Sequence, residues 1–142
     1  MIRLSNGKDV EAIIQVWLEA SQASHDSIPC EHWLSLVNEM RELRIPYSET
    51  YVYELNGRVV GFVSLVDDDL MALYVAPDSQ GKGIGGKLIA FAKSKRNSLQ
   101  LDVYCKNTRA IAFYEHAGFT VAHEKIDAAV NEPQKVMQWS QG

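Results

Sequence analysis

The chain has 142 residues, of which 46% are apolar and 23% charged, and it carries a net charge of −4. That length suits one domain with its own core, and the composition excludes disordered and fibrous chains. With no apolar run near ~18 residues, no secretory-signal pattern at the N-terminus and only two cysteines, Cys30 and Cys105, the expectation is a cytoplasmic protein with reduced thiols, no membrane and no nucleic-acid partner, and a mild preference for a cationic substrate.

Ile2 to Leu4 reads as a short strand and Ser5-Asn6-Gly7 as a turn. From Asp9 to about Gln22, Val10, Ile13, Ile14, Trp17 and Leu18 fall at helical spacing. His25 to Pro29 is a loop, because Pro29 forbids a helix through it. A second helix puts Trp33, Leu36, Val37 and Met40 on one stripe and ends before Pro46.

Strand patterns follow. Tyr51 to Leu55 and Arg58 to Val66 flank Asn56-Gly57, a pair suited to the two positive φ angles of a type I′ hairpin turn. Asp67-Asp68-Asp69 is a charged turn, and Leu70 to Val75 is a third strand, stopped by Pro77. A helix from about Gly83 to Lys95 should bury Leu88, Ile89 and Phe91 or Ala92. Leu99 to Tyr104 is a strand parallel to the previous one, since a helix connects them. Asn107 caps a helix that Gly118 ends, and Phe119 to Ile126 and Lys135 to Trp139 are the last strands. The whole chain, 1–142, reads as one α+β domain: an antiparallel meander joined to a βαβ crossover.

The informative segment runs from Ala76 to Leu88, where a strand ends, glycines turn the chain and a helix begins. Free N–H groups at a helix start make an anion site, and glycines let a phosphate approach the backbone. Gly81-x-Gly83-x-x-Gly86 matches a dinucleotide fingerprint, but Asp102 lies inside its strand and too little chain follows for a second mononucleotide half. Gly81-x-x-x-x-Gly86-Lys87 fails as a triphosphate loop, because Leu88 stands where a magnesium-binding hydroxyl belongs.

A third pattern, Gln80-x-x-Gly83-x-Gly85, resembles the pyrophosphate loop of the GNAT superfamily of N-acetyltransferases. A second stretch, Asn107-x-x-Ala110-x-x-Phe113-Tyr114-x-x-x-Gly118-Phe119, is similar to that family's next motif. The resemblance implies a GNAT-type acyl-CoA N-acyltransferase fold: a mixed, mostly antiparallel central sheet, helices on both faces, and splayed parallel strands at the cofactor site. It implies acetyl-CoA as co-substrate, no metal, and direct acetyl transfer to an amine in a ternary complex. The acceptor class stays open between a protein lysine or N-terminus and a small amine, and the protein between monomer and homodimer. A non-catalytic acyl-CoA-binding regulatory module is the alternative.

Residue by residue, the resemblance assigns Leu73, Tyr74 and Val75 to backbone pairing with the pantetheine arm, with an N–H there as oxyanion donor. It assigns Gln80, Gly81, Lys82, Gly83, Ile84, Gly85 and Gly86 to the diphosphate, and Asn107 to the pantetheine end. Gln80 replaces a commoner arginine, so Lys82 or Lys87 would supply charge. Tyr114 is the expected general acid, its phenol eased if its surroundings lower its pKa. His25 is the preferred base among His25, Asp26, Asp69, Glu54 and His116. Trp17, Trp33, Tyr47 and Tyr51 are candidate pocket aromatics, whereas His32 and His123 are expected to be structural.

Overall fold

The computed structural model describes residues 1–25 and 27–141. In chain order the elements are β1 (Ile2–Leu4), α1 (Val10–Ser24), α2 (Cys30–Ser35), β2 (Glu49–Leu55), β3 (Arg58–Val66) and β4 (Asp69–Val75). They are followed by α3 (Ile84–Lys95), β5 (Ser98–Tyr104), α4 (Thr108–His116), β6 (Thr120–Asp127) and β7 (Glu132–Ser140). The strands form one sheet in the order β1-β2-β3-β4-β5-β7-β6. All neighbours are antiparallel except β4 and β5.

Local chemistry accounts for the turns. Asn56 and Gly57 both take positive φ, 54° and 78°, as a I′ hairpin requires. The Asn107 carboxamide oxygen accepts from the Ala110 N–H at 3.2 Å and caps α4. At the other end of α4, Gly118 adopts φ 96°.

Helices cover both faces of the sheet. On one, α3 and α4 bury Leu88, Ile89, Ala92 and Ile111 against Val63, Leu65, Leu99, Leu101 and Met137. On the other, α1 and α2 bury Ile13, Ile14, Trp17 and Trp33 against Val52 and Phe62. Of Phe91 and Ala92, it is Ala92 that is fully buried. Phe91 instead packs edge-on to Tyr51 at 4.6 Å.

The second helix departs from expectation. It stops at Ser35, resumes for one short turn at Val37–Glu39, and then widens into a π-helical turn at Met40–Arg44. The Ile45 N–H reaches five residues back to the Met40 carbonyl at 3.0 Å. The wider turn lets Met40 and Ile45 both face inward, which one unbroken 3.6-residue period would not do.

Candidate active site

β4 and β5 share one paired step, Asp69 with Gln100, joined by the Gln100 N–H to the Asp68 carbonyl at 2.9 Å. Beyond it the strands part. Ser64 pairs with Ala72 and Leu65 with Leu70, so Met71 is an extra residue in β4. Such a bulge bends its strand, and this one sits just past the last pair with β5.

The splay leaves backbone groups unpaired. The Ala76 N–H donates to the Val60 carbonyl at 2.8 Å, so Ala76 faces β3. Hydrogen-bonding direction alternates along a strand. Tyr74 therefore also turns its backbone toward β3, while Leu73 and Val75 turn theirs into the opening. Of the three residues expected to pair with a pantetheine arm, Leu73 and Val75 turn backbone groups into the opening and Tyr74 does not. Tyr74 presents its side chain to the cleft instead. The Val75 carbonyl already accepts from the Gln80 side-chain nitrogen at 3.0 Å.

Beyond Val75 the chain enters the glycine-rich loop. Gly81 and Gly83 take φ of 80° and 79°, and Gly83 is the N-cap of α3 with no side-chain cap. The first intrahelical bond runs from the Lys87 N–H to the Gly83 carbonyl at 3.1 Å. The N–H groups of Ile84, Gly85 and Gly86 thus have no intrahelical acceptor, and the first turn carries no acidic residue. A Cβ on Gly86 would meet nothing within 4 Å, and one on Gly85 would meet Phe113 at 3.4 Å. This is an open anion site at a helix N-terminus, and it fits a diphosphate. Lys87 is turned to the Tyr53 hydroxyl, at 3.5 Å. Lys82 stays exposed on the loop near Asp78.

The opening continues into a cleft of about 810 Å³. Tyr114 lines it from α4, and His25 and Trp33 line it from the α1–α2 side. Since these helices lie on opposite faces, the splay is a passage through the sheet. Asn107, Trp17, Tyr74 and Tyr104 also line it. The oxygen of Asn107 is committed to its helix cap, which leaves its NH₂ group as the donor it offers.

Tyr114 is 8% exposed and packs edge-on to Phe113 and Phe119 at 5.2 and 5.6 Å. No hydrogen bond engages its hydroxyl among the described residues. Burial, and secondarily the nearby Tyr74 phenol, push its pKa up. The surroundings that would have eased proton release are therefore not those of this phenol: apolar packing disfavours the phenolate, and the group rests as a protonated donor.

His25 is 9% exposed. Its ring lies 5.5 Å from that of Trp33 and 5.1 Å from that of Tyr104, edge-on to the latter. Of the other candidate bases, Asp69 also lines the cleft. Glu54 is instead paired with Arg3 at 2.9 Å. His116 ends α4 and is not part of the cleft wall, and Asp26 lies outside the described residues. Trp17 and Trp33 line the cleft, whereas Tyr47 is exposed elsewhere and Tyr51 donates to Glu49 at 2.5 Å. His32, expected to be structural, lies at the cleft wall against Trp33.

Tyr104 and Asp127 are among the cleft residues that escaped the sequence reading. The Tyr104 hydroxyl donates to Asp127 Oδ2 at 2.6 Å, linking the end of β5 to the β6–β7 hairpin. Burial and the Asp127 carboxylate both raise the Tyr104 pKa. Tyr104 had one usable signal, its place at the carboxyl end of a strand beside the crossover. Asp127 had none.

Residues 46–121 match the family described as the acetyltransferase (GNAT) domain. The peptidyl-lysine N-acetyltransferase YiaC of Escherichia coli K12 is 31% identical over 98% of this chain and 96% of its own. The peptidyl-lysine N-acetyltransferase YjaB of the same organism is 31% identical over 84% of this chain and 82% of its own. The solution structure of apo YjaB superposes with a TM-score of 0.85, at 27% identity, over 98% of this chain and 96% of that one. The fold also matches a Thermoplasma acidophilum PaiA N-acetyltransferase solved with coenzyme A, with a TM-score of 0.81 at 20% identity over 99% and 98% of the two chains.

Proposed function

The chain belongs to the GNAT family of acetyl-CoA-dependent N-acetyltransferases, and from that premise we propose direct transfer of the acetyl group to a protein lysine within a ternary complex. The observation that carries this reading is the splay itself: one opening holds unpaired backbone groups, a protonated phenol and a histidine, and the strand that forms its wall leads directly into the glycine-rich loop. The lysine acceptor is supported by the names of the two relatives that cover most of the chain. Acetyl-CoA supplies the thioester, and the rest is the work of this chain's own groups.

The N–H groups of Ile84, Gly85 and Gly86 hold the diphosphate, with Gly81 and Gly83 shaping the loop and Lys82 adding charge. Leu73 and Val75 offer backbone to the pantetheine arm, and Asn107 offers its NH₂ group. An N–H of β4 in the opening serves the developing oxyanion. A lysine amine is less than ~0.1% neutral at neutral pH, so a proton must leave it. His25, directly or through water, takes that proton. The Tyr114 hydroxyl gives one to the departing sulfur. With ordinary pKa values near ~10 and ~8.5 that step is uphill by ~2 kcal/mol, and the raised Tyr114 pKa widens the gap. The donor is poised rather than strong, and what it supplies is position.

The test is a transfer assay with lysine-containing peptides, an N-terminally free peptide without lysine, and small amines, read by mass spectrometry. Acetylation on the lysine Nζ supports the reading. Acetylation of small amines alone would overturn the acceptor.

A further inference from the structure

We propose that Asp127, held by Tyr104, is the anchor that receives the acceptor's cationic side chain. This deepens the acetyltransferase reading and rests on it. The argument starts from which cleft charges are already answered. Lys125 is paired with Asp102 at 2.7 Å and Arg44 with Glu39 at 2.8 Å. Asp69 and Asp127 line the same cleft and make no ion pair among the described residues.

Asp127 is the better placed of the two to act as a fixed anion. Its Oδ2 accepts from the Tyr104 hydroxyl at 2.6 Å and its Oδ1 from the Ala129 N–H at 3.1 Å. Two donors orient the carboxylate without neutralising it, and each oxygen keeps a lone pair. Trp33, Tyr74 and Tyr104 line the same cleft, and aromatic rings suit an ammonium on an aliphatic stem. Trp33 is 5% exposed, and its buried indole N–H has no hydrogen-bond partner among the described residues.

Asp127 is therefore a specificity residue that draws the ammonium in, and Tyr104 is its positioning residue. The test compares wild type with Asp127→Asn and Tyr104→Phe on two acceptors, a lysine peptide and a weakly basic alkoxyamine that is neutral at neutral pH. Asp127→Asn should raise KM for the lysine peptide about tenfold, a loss typical of one charge-assisted contact. KM for acetyl-CoA and rates with the alkoxyamine should stay unchanged. Tyr104→Phe should give a smaller rise in the same constant. An unchanged peptide KM in Asp127→Asn, or an equal loss with both acceptors, overturns the assignment. A wild-type protein that acetylates neither acceptor overturns the parent reading and this one with it.

Discussion

Asp69 and Gln100 face each other across the one paired step between β4 and β5, and past them the two strands separate around the cleft. On its outer side each strand is paired along its length, β4 with β3 except at the Met71 bulge, and β5 with β7. The sheet can therefore open at its centre without losing its edges. The Met71 bulge supplies the bend, and the glycine-rich loop follows β4 directly, at the start of the crossover through α3.

Tyr114→Phe removes one hydroxyl from a packed ring that makes no hydrogen bond through it among the described residues, so the fold should tolerate it. We expect kcat to fall about tenfold or more, at least ~1.4 kcal/mol of lost transition-state stabilisation, with acetyl-CoA affinity retained. Steady-state kinetics beside a cofactor titration check this. Wild-type turnover would remove Tyr114 from the mechanism.

Gly86→Ala separates the loop's function from its stability. The added methyl meets no protein atom within 4 Å, and alanine favours a helix over glycine by about 1 kcal/mol. The unfolding temperature should hold or rise while KM for acetyl-CoA increases several-fold, because the methyl occupies the face open to the diphosphate. Calorimetry and kinetics on the same preparation decide it.

Tyr104 and Tyr114 both have pKa values raised above that of an unfolded tyrosine, mainly by burial. Protons held in the folded state but released by the unfolded one make stability fall with rising pH. Stability should therefore be insensitive to these groups below about pH 10 and decline above it. In Tyr114→Phe the alkaline decline should be shallower. Denaturant midpoints measured across that range test the sign, and identical slopes would contradict it.

Asp9 works in the opposite direction. The Arg3 guanidinium grips it at 2.8 and 3.0 Å, and the Asn6 N–H adds a third bond at 2.8 Å. The Arg3 contact first, and the Asn6 N–H second, hold its pKa below the usual carboxylate range. Its contribution is present above the ordinary carboxylate pKa and is lost as pH falls through the depressed one. Asp9→Asn should destabilise the protein by about 2 kcal/mol near neutrality and by less in acid. Chemical denaturation at both pH values gives the comparison.

Much of the architecture was legible because local rules carry it. Asn56-Gly57, Asn107 and Gly118 announce their turns and caps through backbone preferences that act within four residues. The strands alternate with helices in an order that allows one parallel crossover. The loop from Gln80 to Gly86 was legible too, since positive φ and free N–H groups are properties of a short segment. The interrupted second helix was not. Its π turn serves Met40 and Ile45, which face a core built largely from other parts of the chain.

By itself the sequence determined the element order, the glycine-rich loop before α3 and the family, because each is written in spacings of a few residues. Only the tertiary structure decided what shares the cleft. His25, Trp33, Tyr104, Tyr114 and Asp127 come from five separated segments, and their meeting depends on how α1, α2, α4 and the last hairpin pack around the splay. It also decided the direction of the Tyr114 pKa, because burial is set by all the neighbours at once, whereas a motif records only the few residues beside it.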